Sequence, residues 1–202
     1  MKIHRSKFLL SIVLILISLS LNAQFKAVGN SAVWQIGFNE EFADNLNLKE
    51  RYADEIKNIE AKTNGGPGID NVLDALFVGS SSIRGWRSVV EDMKPLSVLN
   101  NGFGGSTIRD ILYHYDVVVK PFKTKKIVLY VENDIIIESS LDTYILFDMF
   151  RIFTHKVFAD FPGVKLYIIS LKPSPSRANV LGKQVLINEM LKSYAERVEN
   201  LE

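Results

Sequence analysis

The chain has 202 residues, 24 Lys and Arg against 23 Asp and Glu, and no cysteine. This length suffices for one domain with a sizeable core, and the near-neutral charge gives no reason to expect nucleic acid or an anionic membrane surface as a partner. The lack of cysteine excludes disulfides, a thiolate nucleophile and cysteine-based metal sites.

The N-terminus has the three-part pattern of a secretory signal peptide. A basic start precedes the apolar run Phe8–Leu21, and Leu21-Asn22-Ala23 precedes Gln24. The alternative is a membrane anchor, but the run is shorter than the roughly 20 apolar residues that a spanning helix needs. Cleavage after Ala23 leaves a net charge of about −2. We therefore expect residues 1–23 to be removed and the rest to be secreted or periplasmic in a bacterium, without a membrane span.

An extension over residues 24–46 precedes the domain that we predict over residues 47–202. The domain opens with a predicted helix over Asn47–Thr63, since Leu48, Tyr52, Ile56 and Ile59 recur at spacings of three and four among charges. The glycine- and proline-rich stretch that begins at Asn64 ends this helix.

Apolar segments then alternate with amphipathic ones along the rest of the chain. The predicted strands are Val72–Gly79, Ser97–Asn100, Lys126–Val131 and Val164–Leu171, and the predicted helices are Ile83–Met93, Thr107–Val119, Leu141–Phe158 and Val180–Asn200. Strands that are apolar throughout and alternate with helices indicate an α/β fold, a parallel sheet covered on both faces.

Small and polar residues follow the predicted strands directly. In such sheets, ligands bind outside the carboxyl ends of the strands, near the point where the strand order reverses. Ser81, Gly105, Asn133 and the loop Lys172–Arg177 each come just after a strand. We therefore expect them to meet at one rim of the sheet.

Three segments carry a resemblance to a known family: Phe77–Trp86, Asn100–Leu112 and Ile127–Ile135. They resemble blocks of the GDSL-like lipase/acylhydrolase family, also called SGNH hydrolases. The family block Gly-Asp-Ser has its tryptophan seven residues after the glycine, and Trp86 is seven after Gly79, which selects Ser81 among three consecutive serines. The resemblance implies a three-layer, flavodoxin-like sheet with strand order 2-1-3-4-5 and no metal or organic cofactor.

The resemblance also implies a catalytic role for each block. Ser81 is the nucleophile and one oxyanion donor, Gly105 gives a second donor through its N–H group, and Asn133 gives a third through its side chain. The substrate would be a small ester or an acetylated carbohydrate. One departure concerns the third block, where family members have a glycine and this chain has Val131 or a deletion, so that a turn with positive φ would be disfavoured.

Simpler interpretations of these segments remain open. Ser81 and its neighbouring serines also suit a simple role as a helix cap, and the glycines around Gly105 also suit a plain tight turn. A dinucleotide-binding glycine loop is excluded by its spacing and by the lack of a following acidic residue. Trp86, Phe103 and Arg177 are candidate substrate-binding residues, while core packing suits the two aromatic residues and a solvated loop suits Arg177 equally well.

A general base for Ser81 is not evident. His4 lies in the predicted signal peptide, and His114 and His155 lie within predicted helices rather than at strand ends. Family members take this histidine from a C-terminal Asp-x-x-His block after a fifth strand, for which the chain has no counterpart. We therefore expect sheet order 2-1-3-4 with the fifth strand missing, an unpaired edge along the fourth strand, a truncated domain and weak or absent activity. The alternative is a non-catalytic secreted module that binds a carbohydrate or another partner.

Overall fold

A computed structural model describes residues 47–48 and 50–202. The predicted signal peptide and N-terminal extension lie outside the described residues. Within the described part, Leu48–Glu202 form one unit.

The centre of this unit is a parallel sheet of four strands in the order β2-β1-β3-β4. The strands are β1 (Ala75–Gly79), β2 (Val98–Asn100), β3 (Lys126–Tyr130) and β4 (Lys165–Ile168). In the register of the central pair, Gly79 lies opposite Tyr130. Every residue of β1 is buried, as expected for a central strand with both faces covered. The α/β class and the strand order 2-1-3-4 are thereby confirmed.

Helices connect and flank these strands. They are α1 (Ala53–Glu60), α2 (Ser81–Gly85), α3 (Val89–Asp92), α4 (Ile108–Tyr113), α5 (Tyr115–Val118), α6 (Asp134–Ile137), α7 (Thr143–Asp160) and α8 (Leu181–Ala195), with 3₁₀ turns at Ala61–Asn64 and Pro175–Val180. The four residues of the predicted apolar stripe, Leu48, Tyr52, Ile56 and Ile59, are all buried. The predicted helix itself begins later than expected, at Ala53.

Two predicted helices are each divided in two. The helix predicted over Ile83–Met93 is interrupted between α2 and α3, where the Asn100 side chain bonds two of its carbonyl groups. The Asn100 amide donates to the carbonyl oxygen of Ile83 at 2.6 Å and to that of Trp86 at 3.2 Å. The helix predicted over Thr107–Val119 has Thr107 as its N-cap in a capping box with Asp110, and it is divided at His114 into α4 and α5.

The edge of β4 differs from the expectation of an unpaired strand. The N–H groups of Leu166 and Ile168 donate to the carbonyl oxygens of Asn200 and Glu202, and the Glu202 N–H donates to Leu166. These bonds form an isolated parallel bridge between Leu166 and Leu201. The sheet thus has four strands, and the chain returns beside β4 after α8, so the expectation that this edge is unpaired was wrong for these positions.

The described residues contain no helix that is long and apolar enough to cross a membrane.

Gly79 is required where β1 passes closest to β3. Its φ is +154°, and a Cβ atom built on it would lie 2.1 Å from the Tyr130 carbonyl oxygen. We expect Gly79→Ala to lower the free energy of unfolding by about 3 kcal/mol or more, because the two central strands must separate to admit the methyl group. The measurement is urea unfolding followed by circular dichroism.

Gly85 provides the matched control for this substitution. A Cβ atom on Gly85 meets no atom within 4 Å. Gly85→Ala should therefore leave the unfolding midpoint nearly unchanged. Equal midpoints for the two variants would contradict the close approach of β1 and β3.

Candidate functional site

Main-chain hydrogen bonds at the carboxyl end of β1 join the three loops that the sequence singles out. The Phe103 N–H donates to the Gly79 carbonyl oxygen at 3.0 Å, and the Ser80 N–H donates to the Tyr130 carbonyl oxygen at 3.0 Å. The first bond attaches the glycine-rich loop to β1, and the second attaches the serine segment to the end of β3. The loops that carry Ser81, Gly105 and Asn133 therefore begin from one place on the sheet.

The three consecutive serines have different environments. Ser80 is 2% exposed and occupies the N-cap position of α2. The Ser82 side chain hydrogen-bonds the Tyr130 side chain, whose pKa is raised by burial and held back by Arg177, by the Lys172 backbone and by Ser82. Ser81 is the first residue of α2 and is exposed. Ser81 and Ser82 are thus both exposed, and Ser82 is the one whose side chain interacts with Tyr130.

The glycine turn after β2 lies at the same rim. Gly105 has a φ of +76°, a left-handed conformation that favours glycine. Ser106 and Thr107 follow it and are buried, and Thr107 caps α4. The turn is therefore held in place from its C-terminal side by a helix.

Asn133 lies against this turn. Its side-chain amide donates to the Ser106 carbonyl oxygen at 3.0 Å, one residue beyond Gly105. One N–H of the amide is used in this bond, and the second is left to donate elsewhere. Among the described residues other than glycine, only Asn47 and Asn200 have positive φ, so Val131 takes an ordinary conformation. The turn after β3 thus places Asn133 beside the glycine turn without the glycine that family members have.

Asp134 fastens the same two segments together and was not singled out from the sequence. Its Oδ2 accepts from the Ile108 N–H at 2.9 Å, which joins the start of α6 to the start of α4. Burial, with a contribution from Asp110, raises the pKa of Asp134 to about 6, although Ile108 and Arg109 act in the opposite direction. The sequence signal that could have identified Asp134 is its position directly after Asn133. The two adjacent side chains bond different residues, Asn133 the Ser106 carbonyl group and Asp134 the Ile108 N–H group.

Arg177 lies beside the end of β3 rather than free in its loop. Its guanidinium forms an ion pair with Glu132, and the Glu132 side chain is 4% exposed. The pair joins the 3₁₀ turn of the Lys172–Arg177 loop to the residue that precedes Asn133. The structure therefore gives Arg177 a partner within the protein, which the sequence did not predict.

The two aromatic candidates pack within the protein. Phe103 is fully buried, with its ring edge-on to Tyr52 at 5.1 Å between centroids. Trp86 packs edge-on against Phe77, and its indole N–H donates to Asp92 at 2.6 Å. Of the two roles that the sequence left open for these residues, packing is the one that their contacts describe.

Neither histidine of the described residues comes directly after a strand. The His114 ring is buried, with Nε2 at 3.1 Å from the Leu48 carbonyl oxygen, and burial lowers its pKa. His155 is exposed near the C-terminal end of α7. Residues 47–48 and 50–202 also contain no group of three or more His, Cys, Asp or Glu side chains that could hold a metal ion.

No family model matches the sequence, and no curated protein is significantly similar to it. Solved structures do match its fold. A candidate platelet activating factor from Streptococcus pneumonia matches with a TM-score of 0.62 and 17% identity, over 85% of this chain and 80% of that one. A candidate acylhydrolase from Bacteroides fragilis matches at 0.56 and 20%, over 73% and 71% of the two chains. A GDSL-like lipase from Bacteroides thetaiotaomicron matches at 0.56 and 19%, over 74% and 73%.

These identities establish a shared fold. The chain has the fold of GDSL-like lipases and acylhydrolases, and the resemblance indicated by the sequence motifs is confirmed at that level.

The raised pKa of Asp134 predicts a pH dependence of stability. The pKa of about 6 in the folded state lies above the ordinary value of 3.8 for this carboxyl group. The folded state therefore binds more protons between these two values, and Asp134 stabilises the fold below about pH 4 but loses that contribution as the pH rises through about 6. Asp134→Asn abolishes this titration, so the variant should gain stability relative to the wild type between pH 4 and pH 7.

Urea unfolding of the wild type and Asp134→Asn at both pH values tests this sign. Asp54 is exposed in the first turn of α1, so Asp54→Asn is the control. Its difference from the wild type should change little over the same interval. A stability difference for Asp134→Asn that is independent of pH, or that moves in the opposite direction, would contradict the burial of this carboxyl group.

Proposed function

We propose that the chain is a secreted serine acylhydrolase of the SGNH type that acts on a small ester or an acetylated carbohydrate. The observation that carries the proposal is the convergence of an exposed serine, a glycine turn and an asparagine amide at one rim of the sheet. The bond between Asn133 and the Ser106 carbonyl oxygen supports it most directly, because it places the amide beside Gly105. The matching fold of GDSL-like lipases and acylhydrolases supports the same class of reaction.

In the proposed reaction, the Ser81 hydroxyl oxygen attacks the carbonyl carbon of the ester. The charge that develops on the carbonyl oxygen is stabilised by the N–H groups of Ser81 and Gly105 and by the free N–H of Asn133. Collapse of this intermediate expels the alcohol and leaves an acyl group on Ser81. Water then releases the acid and restores the serine.

The proton of Ser81 has no imidazole acceptor among the described residues. His114 is held by the Leu48 carbonyl group, and His155 lies on α7. In the proposed reaction, water accepts this proton and a proton from water goes to the leaving alcohol, which is consistent with slow turnover. Oxyanion stabilisation without a working triad still gives a rate about 10³-fold above that in water.

A second candidate is a module that binds an acetylated carbohydrate without cleaving it. Among the described residues, His114 is bonded to the Leu48 carbonyl group and His155 lies within α7, and a binding module needs no general base. The exposed Ser81 and the Asn133 amide would then serve as hydrogen-bonding groups for the ligand.

Covalent labelling tests the role of Ser81. The purified wild-type chain should react with a fluorophosphonate probe at a single serine, because Ser81 is exposed beside the oxyanion donors. Ser81→Ala should abolish the label, as measured by intact-protein mass spectrometry. Ser82→Ala is the matched control and should label like the wild type, since Ser82 bonds to Tyr130. Labelling of Ser81→Ala at the wild-type rate would remove Ser81 from the mechanism.

Turnover distinguishes the two candidates. We expect slow hydrolysis of p-nitrophenyl acetate that depends on Ser81 and is unchanged in His155→Ala, because that side chain lies within α7 and not at a strand end. Hydrolysis abolished by His155→Ala would contradict the proposed proton acceptor. If hydrolysis stays at background while an acetylated oligosaccharide binds saturably in calorimetry, the chain is a binding module.

A further inference from the structure

A carboxylate is already bound next to the glycine turn, and it belongs to the protein. Glu55 on α1 accepts from the Arg84 Nε at 2.8 Å and from the Gly104 N–H at 3.2 Å, both with the same oxygen, Oε1. Gly104 immediately precedes Gly105, the proposed oxyanion donor. A guanidinium and a backbone N–H group that converge on one oxygen form a favourable environment for an anion.

The position of Arg84 is defined by two features of the rim. Arg84 lies three residues after Ser81 on α2, a spacing that places two side chains on the same helical face. A Cβ atom on Gly104 would come within 2.9 Å of the Arg84 Nη1. The lack of a side chain at Gly104 thus gives the guanidinium its place beside the turn.

The bond between Glu55 and Arg84 is of a kind that another carboxylate can replace. The Arg84 side chain is 60% exposed and that of Glu55 is 28% exposed. Exposed ion pairs alter an equilibrium by a factor of about five at most. Helix α1 is held by its buried residues Ile56 and Ile59 and by its buried N-cap residue Tyr52. Rotation of the Glu55 side chain therefore suffices to vacate the site, and the helix can stay in place.

We propose that Arg84 and the Gly104 N–H form a carboxylate-binding subsite beside Ser81, and that Glu55 fills it when no ligand is present. In the reaction proposed above, on which this assignment of substrate rests, the subsite selects esters that carry a second, ionised carboxylate. Glu55 competes with that carboxylate and lowers its affinity. The subsite itself does not depend on any chemistry at Ser81.

The test is a titration of the ¹⁵N-labelled chain at low ionic strength with monomethyl succinate, which carries one ester and one carboxylate. The Gly104 amide and the Arg84 Nε–H are the resonances to follow. Glu55→Gln should bind about five-fold more tightly than the wild type, because it removes the competing charge. Arg84→Gln should lose the saturable shift at Gly104. Arg84→Lys keeps the charge but loses the planar fork, so its affinity should lie between those of the wild type and Arg84→Gln.

Two controls restrict the interpretation. Arg87 is exposed shortly after α2, so Arg87→Gln should titrate like the wild type. Dimethyl succinate, which has no charge, should produce no saturable shift at Gly104. An affinity that is unchanged in Glu55→Gln, a Gly104 shift that persists in Arg84→Gln, or equal responses to the two esters would each overturn the subsite.

Ser81→Ala separates this proposal from the proposed function. The variant should bind monomethyl succinate as the wild type does. Saturable binding in a chain whose Ser81 fails to label would refute the hydrolase and retain the subsite. A labelled Ser81 without saturable binding at Gly104 would refute the subsite alone.

Discussion

The arrangement of the rim depends on two main-chain hydrogen bonds at the carboxyl end of β1. One runs from Phe103 to Gly79 and the other from Ser80 to Tyr130. Each joins a loop to the neighbouring strand at the level where the parallel register places Gly79 opposite Tyr130. Because β1 lies between β2 and β3, these bonds attach both loops to the sheet at the same level. The approach is so close that a side chain at residue 79 has no room.

Beyond these bonds, polar side chains hold the segment after β3 from two directions. Glu132 is paired with Arg177, and Asp134 accepts from the start of α4. Asn133 lies between them and contacts the glycine turn. This explains how the segment keeps its direction although Val131 stands where a glycine is typical of the family. Buried charge next to the site has a cost, which is visible in the raised pKa of Asp134.

The sequence predicted most of the fold because its signals were local and repeated. Apolar strands that alternate with helices specify the parallel sheet, and Leu48, Tyr52, Ile56 and Ile59 specify the buried face that includes α1. The sequence did not predict the division of the helix after Ser81, which coincides with a bond from Asn100, a residue that is remote in the chain. The return of residues 200–202 to β4 depends on backbone pairing that leaves no residue-specific pattern.

The sequence could predict those parts of the candidate site that directly follow a strand. Ser81, Gly105 and Asn133 follow strands and can be placed at one rim from the sequence. The contacts of Glu55 and Arg177 could not be found in this way, since each depends on how a distant element packs against the rim. For Phe103 the sequence left both a binding surface and core packing open, and the residue is buried.

The central claim is that the groups around Ser81 form one oxyanion site. A crystal structure of the chain with a small boronic acid bound tests it directly, because boron forms a tetrahedral adduct with a nucleophilic serine. The account predicts an adduct on Ser81 with one boronate oxygen about 3 Å from the N atoms of Ser81 and Gly105 and from the Asn133 side-chain amide. An adduct on Ser82, or one on Ser81 with its oxygens directed into solvent, would contradict the account.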